Sequence, residues 1–167
     1  YHVVHFVTIA LCVAISSISV GLGQGLASIA AFNAFDIQPH AHSEISKTFL
    51  FGMALIETAA IIGLVVAFLL MVPLAKVVNP FYAYYAELGI TFAVCIAGAV
   101  TGIASSFPTQ YACLSVARQP FFSQKIRRLM LVTQSLMQTP IIFAFIIAIL
   151  IKNQISASNT LADCLRL

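Results

Sequence analysis

Of the 167 residues, 61% are hydrophobic and only 8% charged, with a mean hydropathy of +1.03, whereas a soluble domain carries about 25% charged residues. That composition cannot clothe a water-exposed fold, and a net charge of +3 gives no basis for a nucleic-acid partner. Residues 1–35, 88–117 and 129–151 contain no Asp, Glu, Lys or Arg, and 48–75 contain only Glu57. A membrane-crossing helix needs about 20 apolar residues, so four spans are expected, near 4–34, 46–75, 86–116 and 124–151.

The first span lacks a basic leader and is too long for a signal-peptide core. It reads as a retained helix, with chain expected upstream of Tyr1. Small residues recur at every second position: Ser17, Ser19, Gly21, Gly23, Gly25 and Ala27. Glycine inside a helix is unfavourable by about 1 kcal/mol against alanine, but in lipid small residues let helix backbones approach closely. A spacing of two spreads them over a wide face, which suits helices crowded into an inner circle. The second span is bulkier (Ile61, Ile62, Leu64, Val65, Val66, Phe68) and suits a lipid-facing outer position. Phe81, Tyr82, Tyr84 and Tyr85 then fit an interfacial aromatic belt. The third span returns to small residues, among them Gly98, Gly102, Ala104 and Ser106. Arg118, Lys125, Arg127 and Arg128 crowd the third connection and place it on the cytoplasmic side. The loop at 36–47, two spans away, shares that side. After the fourth span, residues 156–167 read as a polar tail outside the bilayer. Cys12, Cys95, Cys113 and Cys164 show no metal or redox spacing, so no structural metal is expected.

A shift of 81 residues superposes Gly21 on Gly102, Gln38-Pro39 on Gln119-Pro120, and Thr58 on Thr139 without a gap. The chain therefore reads as two fused helical hairpins, residues 1–80 and 81–155. They are parallel rather than inverted repeats. Small inner helices and bulky outer ones are the plan of an oligomeric ring.

Glu57 has no Lys or Arg at comparable depth. An intramembrane acid is costly and marks a functional site by default. It is expected to be protonated, or to hold a cation, wherever it faces lipid. The midpoint of Gln24 and Glu57 falls at the turn after Pro39, so each lies about 25 Å from it along its helix, at one depth. The Gln24 amide, the Thr58 hydroxyl and the Leu55 carbonyl would add oxygens of the kind hard cations prefer. In the second hairpin Glu57 becomes Gln138, Gln24 becomes Ser105, and Thr58 is kept as Thr139. Glutamine cannot titrate, so the second hairpin reads as a non-exchanging spacer, with Pro108 and Pro140 as further divergence.

Gly21-Leu-Gly-Gln-Gly25, Met53-Ala-Leu-Ile-Glu-Thr58 and Val116-Ala-Arg-Gln-Pro120 resemble the c subunit of F-type ATP synthases, the proteolipid of the membrane rotor ring. The resemblance covers roughly residues 10–152, with two hairpins where the family ordinarily has one. It implies a non-catalytic, ion-translocating component that binds no cofactor. Its partners would be further copies in the ring, alone or mixed with single-hairpin subunits, together with membrane lipid, the stator a subunit and the central stalk. Arg118, Gln119 and Pro120 match the stalk-binding loop in full. The first loop keeps only Gln38 and Pro39, with Ile37 in place of the arginine. The location implied is an energy-coupling membrane, a bacterial inner membrane first. Gln24 and the hydroxyl after Glu57 resemble sodium-carrying members, while Ile62 stands where those members have a tyrosine. Na⁺ is thus placed ahead of H⁺. Three rivals are a four-helix proteolipid of a V-type pump, a non-rotary structural or channel protein, and a secondary transporter. A non-rotary protein leaves the repeat unexplained, and a transporter of this length is short.

Overall fold

Two Gln-Pro turns fold the chain into antiparallel hairpins. In this computed structural model, which describes residues 2–72 and 80–164, hairpin 1 consists of α1 (His2–Ile37) and α2 (His42–Met71). Hairpin 2 consists of α3 (Pro80–Ala104), α4 (Ser106–Arg118), α5 (Ser123–Met137) and α6 (Thr139–Cys164). Among the described residues, four helical stretches are long and apolar enough to cross a membrane. The helix of the last span runs on to Cys164, into the segment expected as a tail. Phe81 and Tyr82 of the expected belt lie outside the described side chains, whereas Tyr84 and Tyr85 pack edge to face at 5.2 Å.

The turns are one structure built twice. A residue before proline is pushed out of the helical region, and Gln38 (φ −143°, ψ 85°) and Gln119 (φ −139°, ψ 77°) leave their helices almost identically. Pro39 and Pro120 then open matching 3₁₀ turns, Pro39–Ala41 and Pro120–Phe122. Proline suits that first position because its missing N–H would have no partner there.

The hairpins differ in their shafts. Where two unbroken spans are expected, α3 stops at Ala104 and α5 at Met137, with Ser105 and Gln138 as single-residue breaks. Pro108 and Pro140 account for them, since proline gives no N–H to the carbonyl four residues back and its ring crowds it. The carbonyls concerned are those of Ala104 and Leu136. In hairpin 1 the counterparts of Pro108 and Pro140 are Ala27 and Ala59, and there α1 and α2 run through.

The inner helices meet along small residues. A Cβ on Gly23 would run into the Gly102 carbonyl oxygen, and one on Gly102 would sit 2.5 Å from the Ser19 hydroxyl. Gly98 is similarly pressed by Ser16 at 2.9 Å. Gly21 and Gly25, grouped with them by sequence, have nothing within 4 Å of a Cβ in this single chain. The outer helix α2 is tied in by Gly63, pressed against Ser16, and by Gly52, pressed against Thr109.

Side-chain hydrogen bonds that cross from one hairpin to the other share a sequence separation. Ser19 to Gly98 and Ser123 to Glu44 span 79 residues, Lys152 to Val72 spans 80, and His5 with Glu87 and Gln134 to Gly52 span 82. Arg127 to Glu44 and Gln138 to Leu55 span 83, and Cys95 to Leu11 spans 84. The repeat is 81 residues (Gly102 less Gly21). Each residue thus meets its partner at the depth of its own repeat counterpart. The hairpins are related by rotation with almost no slide along the helix axes, which is the relation between neighbours in a ring.

Gly23→Val should destabilise the detergent-dispersed chain by about 1–3 kcal/mol through overpacking. Gly21→Ala should leave it unchanged or slightly firmer. Thermal unfolding of both variants checks the contrast; equal losses would mean that the α1–α3 contact is not close.

Candidate ion-binding site

Position around α2 decides what Glu57 can reach. Gly52 is covered by Thr109 and Gln134, and the Leu55 carbonyl accepts the Gln138 side-chain amide, so that side of α2 faces hairpin 2. Two residues further on, about 200° around the helix, Glu57 is exposed on the opposite flank. On α1, Ser16, Ser19 and Gly23 face α3, while Val20 and Ala27 turn toward Ile56 and Ala59 of α2. Gln24, about 100° around α1 from Gly23, is half-buried on the side turned away from α3. A Cβ on Gly23 would lie 3.5 Å from Ile56, so Gln24 and Glu57, one step further along these antiparallel helices in opposite directions, lie within about one helical turn of each other in height. Among the described residues, Glu57 forms no ion pair.

The other two expected ligands are committed elsewhere. The Thr58 hydroxyl donates to the Leu55 carbonyl at 2.8 Å, and the same oxygen takes the Gln138 amide. Within one chain, Leu55 therefore belongs to the junction between hairpins, and Glu57 with Gln24 to the free edge. Gln138 occupies in hairpin 2 the place of Glu57 and turns toward hairpin 1. Thr139 repeats the Thr58 bond, donating to the Leu136 carbonyl at 2.8 Å. Leu136 is exposed, and Pro140 denies its carbonyl the ordinary helical donor.

Three polar bridges that composition did not single out hold the intrachain junction. At the end remote from the loops, His5 Nδ1 lies 2.9 Å from the buried Glu87 carboxylate. The signal for this pair was an acid at the edge of a span, one repeat length from a histidine. Midway, fully buried Gln134 donates its amide to the carbonyls of Gly52 at 3.1 Å and Ser105 at 3.0 Å. At the loops, Glu44 accepts from Lys47 at 2.8 Å, Ser123 at 3.1 Å and Arg127 at 2.6 Å. The loop residues Arg118 and Gln119 are exposed, and Phe121 beside them is wholly so. Pro120 and Gln38 are half-buried and Pro39 is exposed.

A twice-repeated membrane hairpin, with small inner helices, bulky outer ones and one edge carboxylate, defines a duplicated proteolipid of the ring-forming kind. The family of ATP synthase C subunits matches twice, at residues 7–70 and 88–151. The chain is 45% identical over 62 residues to the ATP synthase c subunit numbered 2 in Cereibacter sphaeroides, covering 37% of this chain and 75% of that protein. It is 46% identical over 57 residues to the ATP synthase c subunit of Clostridium beijerinckii, covering 34% and 80%. Against the chloroplastic c subunit of Galdieria sulphuraria it is 41% identical over 61 residues, covering 36% and 74%. The chain belongs to the ATP synthase C-subunit family, in a tandem-duplicated form, and is an integral membrane protein.

Hydrogen bonds from Lys47, then Ser123 and Arg127, hold the Glu44 carboxyl well below the usual carboxylate range, at about 2. A lowered folded-state value contributes stability above the unfolded value of about 4.3 and loses it as pH falls toward about 2. Glu44→Gln should therefore lower the melting temperature at pH 7, and the gap to the parent should close between about pH 4.5 and 2. Thermal melts across that range test it.

Proposed function

We propose that this chain is a rotor-ring component of an F-type ATP synthase or ATPase, carrying one monovalent cation on Glu57 as the ring turns. The observation that carries the reading is the Gln138–Leu55 contact, in which the repeat counterpart of Glu57 bonds across the junction to the other hairpin. Repeating that junction between chains brings Glu57 and Gln24 against the partner subunit's Leu136 and the partner subunit's Thr139. Glu57 then supplies the charge and Gln24 an amide oxygen. The partner's Leu136 supplies a carbonyl that lacks its ordinary helical donor because of Pro140, and the partner's Thr139 a hydroxyl. This all-oxygen set suits a hard cation, and Na⁺ is favoured over H⁺. Protonation of Glu57 serves the same neutralising role when the ion is H⁺.

The intrachain junction has no carboxylate, since Gln138 satisfies Leu55 without changing charge. One chain thus carries one ion where two single hairpins would carry two. Moving a charge through 100 mV is worth about 2.3 kcal/mol, so a ring of this chain alone has half the drive per turn of an undivided ring with equal hairpins. That favours ATP-driven pumping over synthesis, unless single-hairpin subunits are mixed in. Arg118, Gln119 and Pro120, with Gln38 and Pro39, would face the central stalk. Glu57 would exchange ions beside the stator a subunit. The basic loop would lie on the cytoplasmic side of a bacterial inner membrane.

Carbodiimide labelling of the purified ring should modify Glu57 and no other carboxylate, and Na⁺ at fixed pH should slow it several-fold. Indifference to Na⁺ would leave H⁺ as the ion. Failure to label, or Glu57→Gln retaining transport, would remove the ion-carrying role.

A further inference from the structure

Cys12 and Cys95 have no redox spacing in the sequence, because the fold rather than the chain brings them together. Cys12 lies on α1 and is fully buried, and Cys95 lies on α3 at 5% exposure. The Cys95 thiol crosses the junction between hairpins and donates to the Leu11 carbonyl at 3.6 Å, beside Cys12. The Cys12 thiol reaches the Gly63 carbonyl of α2 at 3.7 Å, and the two thiols lie within hydrogen-bonding reach of each other. Both are free thiols in this structure. Their separation of 83 residues (95 less 12) is that of the Gln138–Leu55 and Arg127–Glu44 bridges, so they stand at one depth. That depth is about 10 Å along α1 from His5, toward the end remote from the loops. The repeat counterparts of the pair are Ala93 and Ala14, so it belongs to the junction inside the chain and does not recur between copies.

We propose that Cys12 and Cys95 form a disulfide site, oxidised by a lipid-soluble quinone, which joins the two hairpins covalently a second time. In that step two S–H bonds break and one S–S bond forms. Two electrons and two protons pass to the quinone, which leaves as the hydroquinone. A disulfide needs Cβ atoms about 3.8 Å apart, a spacing that only closely packed helices offer. One turn along α1 from Cys12, Ser16 lies 2.9 Å from where a Gly98 Cβ would stand, so α1 and α3 do approach closely here. Cys12 packs among Val66, Leu70, Ile90 and Val94, and Leu11, Phe92 and Ile96 are exposed beside the pair. An oxidant dissolved in the bilayer therefore approaches it more closely than one dissolved in water. Oxidation also strands no acceptor. The Leu11 and Gly63 carbonyls lie inside the unbroken helices α1 and α2 and keep their backbone donors when the thiol hydrogens leave. No charge is gained or lost, so the product suits the same apolar surroundings. Between chains such a bond would tie neighbouring subunits together, whereas here it fixes two hairpins that the chain already joins.

The inference does not depend on Glu57 carrying an ion. It is tested on the full-length chain in its native membranes, reduced with a membrane-permeant phosphine and then treated with a benzoquinone that bears a decyl chain. After denaturation and thiol alkylation, the treated chain should have lost two alkylatable thiols. Before alkylation it should be lighter than the reduced chain by two hydrogens. Digestion should release fragments joined through Cys12 and Cys95. Cys12→Ala and Cys95→Ala should each abolish the loss, and a chain with Cys113→Ala and Cys164→Ala should keep it. In detergent the oxidised chain should melt at a higher temperature than the reduced one. That shift should vanish on re-reduction and be absent from Cys95→Ala. If all four cysteines stay alkylatable after quinone treatment, while the reduced chain melts as the untreated one does, the proposal is overturned. A bond formed through Cys113, or between two chains, overturns it equally.

Discussion

Equal depth is the constraint on which the rest of this structure depends. Within a membrane backbone polar groups are satisfied inside their own helices, so every hydrogen bond between helices must be supplied by a side chain. The polar side chains that cross between hairpins therefore find partners only where a neighbour offers one at the same level. The separations of 79 to 84 residues express this, centred as they are on the repeat. Close approach of α1 and α3 at Gly23, Gly98 and Gly102 fixes the height, and the bridges at Glu44, Gln134 and Glu87 hold it at three levels.

Much of this was legible in the residues. The charge-free stretches gave the spans, and the paired Gln-Pro turns gave the repeat because proline dictates the same local backbone wherever it follows glutamine here. Counting along two helices brings Gln24 and Glu57 to within about a turn of each other in height. Counting along a helix does not give direction around it, however. Leu55, Glu57 and Thr58 are neighbours in sequence, yet Leu55 belongs to the junction with hairpin 2 and Glu57 to the free edge. Only the Gln138 contact, which needs the tertiary arrangement, separates them. The breaks at Ser105 and Gln138 were foreshadowed by Pro108 and Pro140, but a proline in a membrane helix is tolerated often enough that its presence alone does not locate an interruption. Gly21 and Gly25 carry the composition of packing residues, while their open surroundings show that packing inside one chain is not what they serve.

Duplication has let two formerly equivalent junctions diverge. Inside the chain, where partners are covalently joined and always present, buried amides and ion pairs have accumulated at Gln134, Glu44 and Glu87. A buried polar group without its partner is expensive, so such groups suit a junction that never opens. Gln138 fits this pattern, since it gives up a titrating carboxyl and gains a bond to the Leu55 carbonyl. The free edge of hairpin 1 keeps an acid, Glu57, where hairpin 2 has Gln138.

The covalent link between Met71 and Pro80 also imposes a parity. A ring made of this chain alone contains an even number of hairpins, and its rotational symmetry equals the number of chains rather than the number of hairpins. Successive carboxylates are then separated by two hairpin widths of arc. The angular step between equivalent states of such a rotor is twice that of a single-hairpin ring of the same circumference, and odd-numbered rings are closed to it unless a lone hairpin completes the circle.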